Sequence, residues 1–112
     1  MTDTNFMQQK KAWLQAQRKA ILADTEKATR EVQENQRYLA KASAERERLQ
    51  EICKSMLSHG DGEPPLKKFA MAVLEVEKVA NRLIAAEKRE AEAIAEQKDK
   101  LSQLEAEDDL PV

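Results

Sequence analysis

The chain has little of several things. In 112 residues there is one cysteine, two glycines and three prolines, and aromatic residues make up 4%. A lone Cys53 permits no internal disulfide framework and reads as a small apolar side chain of the interior. The longest apolar run, Phe69 to Leu74, falls far short of the roughly 20 residues that a membrane-spanning helix needs. The segment Met1-Thr2-Asp3-Thr4-Asn5 has no basic stretch leading into an apolar core. No signal peptide is therefore expected, and the expected compartment is the cytoplasm. No strong excess of basic charge is present either: the net charge is −2 and the pI about 5.5. That argues against non-specific nucleic-acid binding, which draws on a basic surface.

Also missing are a glycine-rich phosphate loop, a Ser/His/Asp set and a metal motif. His59, the single histidine, stands near Cys53 and Asp61, but one imidazole and one thiol at that spacing do not make a zinc ligand set. The sequence predicts no enzyme, no cofactor and no metal.

What is present is helix-forming residues. Charged residues make up 36%, and Ala, Glu, Lys, Gln, Leu and Arg dominate, a coiled-coil composition. Both glycines and two of the prolines fall in Ser58-His59-Gly60-Asp61-Gly62-Glu63-Pro64-Pro65. Gly60 is placed to end a helix in the left-handed conformation, and Pro64 and Pro65 to open the next one. The expected order is one domain over residues 1–112: helix 5–59, bend 60–64, helix 65–107 and a flexible acidic tail 108–112. Asn5 with Gln8 has the spacing of a weak capping box at the start.

The first arm carries a row at strict sevens, Met7, Leu14, Ile21, Ala28, Asn35, Ala42, Leu49 and Met56. Four residues on runs a second row, Lys11, Arg18, Thr25, Val32, Leu39, Arg46 and Cys53. This 3-4 spacing is the coiled-coil period. In the second arm the rows are Leu66, Val73, Ala80, Glu87, Ile94, Leu101 and Phe69, Val76, Leu83, Glu90, Gln97, Leu104. Ala70, Ile84 and Ala91 adjoin them, and Met71 and Leu74 widen the stripe further near the bend. A stripe this wide suits three or four helices better than two.

Pairing the arms antiparallel about the bend sets residues opposite one another when their numbers sum to roughly 122. Asn35 then faces Glu87, with Glu90 a turn on, and these three are expected to form a buried polar layer that fixes register. The first arm is the longer, so Phe6, Met7 and Trp13 should overhang the end of the second. A lone two-helix seam covers each core side chain only partly, while ordering about 100 residues costs on the order of 150 kcal/mol. The fold class expected is all-α: a long antiparallel two-helix hairpin, a coiled coil, dimerising into a four-helix arrangement.

The function this implies is that of a small coiled-coil interaction protein, an adaptor or chaperone. It would bind a protein partner or itself through apolar helix faces, with Phe6, Met7, Trp13 and Leu14 as anchors. An alternative is a nucleic-acid-binding regulator built as a dimeric hairpin and using Lys10, Lys11, Arg18 and Lys19. In architecture alone the chain resembles plasmid RNA-binding hairpin proteins. A third possibility is a membrane-surface helix over residues 6–22. The acidic tail near the four basic residues counts against the second, and the short, interrupted apolar face against the third.

Overall fold

The computed structural model describes residues 2–60 and 62–108, with the side chains of Thr2 and Asp3 left aside. It contains two α-helices, α1 over Thr2–His59 and α2 over Leu66–Asp108, and no strand among the described residues. Neither helix contains glycine or proline, so nothing in the 58 residues of α1 interrupts its backbone ladder. The chain divides into two compact units, Glu31–Glu87 and Met1–Arg30 with Lys88–Val112. Each contains a stretch of α1 and a stretch of α2.

The unit Glu31–Glu87 is a helical hairpin built around the bend. At the end of α1, His59 Nδ1–H donates to the Ser55 carbonyl at 2.7 Å, satisfying one of the last free backbone acceptors. Gly60 and Gly62 follow with φ of 69° and 73°. This is the left-handed region, where a side chain is strained and glycine is not. The Leu66 N–H donates to the Pro64 carbonyl at 2.8 Å, an i→i+2 turn centred on Pro65. The Phe69 N–H donates to the Pro65 carbonyl at 3.0 Å. Pro65 thus supplies the first acceptor of α2, and the helix begins at Leu66 and not, as expected, at residue 65.

Val32, Leu49 and Cys53 of α1 and Val79 and Ala86 of α2 are the buried core of this unit. Leu39, Ala42 and Met56, and Phe69, Ala72, Val73, Val76, Ala80 and Leu83, are half-buried around it. On α1 these are the two rows read from the sequence, except that Arg46 points to solvent. On α2 the second row also holds. The first row, however, is displaced by one residue: the most buried positions are Val79 and Ala86, with Ala72 beside them, while Glu87 is exposed. An alanine row lets two helix backbones approach closely, which a row carrying Glu87 would prevent.

In the other unit, Leu14 and Leu104 are buried. Arg18, Ile21, Thr25 and Ala28 of α1 and Glu90, Ala93, Gln97 and Leu101 of α2 are half-buried. Arg18 Nη2 lies 3.7 Å from Asp108 Oδ2, and both side chains reach solvent. Such a surface pair contributes about 0–1 kcal/mol. It does locate Asp108, which is the last helical residue of α2 and not the first of a tail. A carboxylate at a helix C-terminus opposes the helix dipole, and the Arg18 guanidinium offsets that. Residues 109–112 of the expected tail lie outside the described residues. At the other end α1 begins at Thr2, so Asn5 and Gln8 are inside the helix and do not cap it.

Candidate functional site

The four anchors expected in the first arm separate into two kinds. Phe6, Met7 and Trp13 are 54%, 57% and 49% exposed. Leu14 is 2% exposed and belongs to the core. It sits at the level of Asp108, the last residue of α2, and the two line one groove with Met7, Lys10 and Lys11. Residues before that level have no α2 residue opposite them among the described residues, which leaves Phe6 and Met7 uncovered. Trp13 lies on a different groove, with Ile21, Lys100 and Leu104. Phe6 and Trp13 are seven residues apart, two turns on one side of α1, with Gln9 and Lys10 between them on that side. The wider surface beside them is basic and amide-rich, with Gln8, Lys10 and Lys11 on one flank.

A second exposed apolar region belongs to the hairpin unit. Leu66, Met71, Leu74 and Ile84 of α2 are 55%, 61%, 63% and 64% exposed. Met71, Leu74 and Ile84, with Ala70 and Ala91, are the ones that made the stripe too wide for two helices, whereas Leu66 was expected in the seam. The structure leaves them outside the seam. Across the hairpin, Tyr38 lines an open groove with Lys41, Glu45, Glu75 and Arg82. Here Arg48 Nε donates to Glu45 Oε2 at 3.0 Å and Arg48 Nη2 to Glu45 Oε1 at 2.6 Å. That fork of hydrogen bonds, with the opposite charge behind it, holds the Glu45 carboxyl below its ordinary range and raises the guanidinium. Both groups are solvated, so the pair is a feature of a charged helix surface.

The expected polar layer is not a buried layer. Asn35 is half-buried, but its Nδ2–H donates to the carbonyl of Glu31 in its own helix at 2.8 Å. Glu87 is exposed and Glu90 half-buried, and no polar or charged residue is fully buried among the described residues. At the level where Glu87 was expected the seam is filled by Ala86, at 0% exposure. The cause is the one-residue displacement of the α2 face.

The polar atoms that are shut away from solvent lie elsewhere. Thr25 Oγ1 and Gln97 Oε1 are buried without a hydrogen bond, and both residues line the same groove beside Leu22. Both stand in the rows read from the sequence, and their numbers sum to 122. Position in the seam was the available signal, but Thr25 and Gln97 stand among other polar seam residues, Lys11, Arg18, Asn35, Arg46, Glu87 and Glu90, and nothing in the pattern singled them out. Leaving such a hydroxyl unpaired costs about 1–3 kcal/mol. Thr25→Val keeps the shape and removes the unpaired group. We expect it to raise stability by about 1 kcal/mol in urea unfolding followed by circular dichroism; a loss of stability would show that the hydroxyl is bonded in solution.

No helix among the described residues is long and apolar enough to cross a membrane, and no group of three His, Cys, Asp or Glu residues there could hold a metal ion. No family model, curated protein or solved structure matches the chain.

Proposed function

We propose that the chain is a non-enzymatic interaction protein whose exposed apolar helix faces bind protein helices, with Phe6, Met7 and Trp13 as anchors on α1. One observation carries this reading. Among the described residues seven apolar side chains are buried, whereas eleven large ones are exposed. Single exposed apolar residues are ordinary, but contiguous ones mark interaction surfaces. The accessible surface is 8882 Å² for a chain of 12.7 kDa. A folded monomer of that mass exposes about 6,200 Å², and a standard interface covers about 800 Å² per partner. The excess is large enough for such an interface. An amphipathic helix presenting aromatic and methionine side chains a turn or two apart is the form that docks into a groove between other helices.

No specific observation favours the nucleic-acid reading. Of the four basic residues it would use, Arg18 pairs with Asp108.

The test uses a photo-crosslinking aromatic amino acid in place of Trp13. Irradiated in cells, the variant should give a discrete protein adduct that excess unlabelled wild type suppresses and that Phe6→Ser with Met7→Ser abolishes. The same amino acid at the exposed, charged Glu47 should give none. An adduct lost on nuclease treatment, or no adduct at all, would remove the reading.

A further inference from the structure

We propose that the exposed stripe Leu74, Glu77, Asn81 and Ile84 of α2 is a second seam, and that its occupant is the same stripe of a second copy of this chain, antiparallel to the first. This rests on the reading that the chain works through apolar helix faces, and it names one partner for one of them.

The spacing of the four residues is three, four, three, the period of a coiled-coil seam. All four are exposed, and the outer two, Leu74 and Ile84, are 63% and 64% exposed. The row that packs within the chain, Val79 and Ala86, lies on another side of α2. The second stripe is therefore free of the first seam.

What selects a second copy is the order of the four side chains. Pairing two stripes about a two-fold axis sets Leu74 of one copy against Ile84 of the other and Glu77 against Asn81. A two-fold axis makes every such contact twice, since residue i meets j and j meets i. The result is four layers: apolar, polar, polar, apolar. Each apolar side chain meets an apolar one. Each Glu77 carboxylate meets an Asn81 amide, whose N–H groups can donate to it. No like charges face each other.

Sliding the pairing by one heptad in either direction loses this match. In one direction Ile84 meets Lys67 and Glu77 meets Leu74. In the other, Glu77 meets Lys88 and Ile84 meets Asn81. Only the proposed register pairs like with like at all four positions. An unrelated helix has no reason to carry the reverse of this order.

Two measurements test it. Light scattering coupled to size exclusion should give twice the 12.7 kDa chain mass for wild type. Leu74→Glu with Ile84→Glu should bring it down to the single-chain mass. The helical circular dichroism should be kept, because neither side chain is buried within the chain. The register is read by disulfides on a Cys53→Ala background. Chains carrying Leu74→Cys and chains carrying Ile84→Cys, refolded together and oxidised, should form a linked pair that neither forms alone. A single-chain mass for wild type at all concentrations would overturn the proposal while leaving the Trp13 adduct, and so the interaction reading, standing. A dimer that survives the two glutamates, or links formed equally well by either variant alone, would overturn it as well.

Discussion

Replacing Leu14 with alanine is expected to lower the free energy of unfolding by about 3 kcal/mol. Leu14 is the largest side chain that is essentially closed off from solvent, at 2% exposure. The lost methyl groups remove transfer energy, and neighbours held on a helical backbone only partly collapse into the space they leave. Against a total of about 5–15 kcal/mol this is a large fraction. The loss should also be local. Hydrogen exchange followed by mass spectrometry should show weaker protection in residues 4–30 and 88–108 than in Glu31–Glu87. An effect spread evenly over both units, or a cost below about 1 kcal/mol, which is the range of surface substitutions, would mean that Leu14 is not the core residue the geometry makes it.

Ala86→Leu acts in the opposite sense and in the other unit. Ala86 is 0% exposed and lies in the seam of the hairpin unit. Three added carbons have no space, so the helices must part or the leucine must leave its rotamers. Overpacking of this kind costs about 1–3 kcal/mol. The control is Glu87→Leu, one residue on and exposed, which should change stability by less than about 0.5 kcal/mol. Had the sequence-read row been the true seam, the results would be reversed: Glu87→Leu would stabilise and Ala86→Leu would be neutral. Midpoints of urea unfolding for the two variants decide between the two faces.

That contrast shows what the sequence revealed and what it hid. The two helices, their bend at Gly60 to Pro65 and the rows of α1 were legible, because glycine and proline punctuate helices and heptads of leucine and valine repeat visibly. The face of α2 was legible only to within one residue. Val73, Ala80 and Ile94 make one row look hydrophobic, while Ala72, Val79, Ala86 and Ala93 make its neighbour look weak. Counting apolar residues favours the larger side chains, but close helix packing favours the smaller. Ile94 is accordingly 51% exposed although it was assigned to the seam. The polar layer went with that choice, since Glu87 was inside only if its row was. The candidate anchors Phe6, Met7 and Trp13 rested on their distance from the expected end of α2; Trp13 does not overhang that end but lies beside Lys100 and Leu104, and Leu14 was grouped with them because the exact level of that end depends on whether Asp108 is helical.

The division of the chain also has a consequence for the order in which it is made. In the unit Glu31–Glu87 the two packed segments are neighbours in sequence, joined by a few residues of bend, so the hairpin can close as soon as it leaves the ribosome. The other unit joins the earliest part of the described chain to the latest. Lys88, where its second segment begins, follows Leu14 by 74 positions, which at 5–20 residues per second is on the order of 4–15 s of synthesis. Throughout that interval Leu14, later 2% exposed, is as bare as Phe6, Met7 and Trp13. For a nascent chain Leu14 is therefore open to capture long after the hairpin unit has closed, until the segment of α2 that covers it has been made.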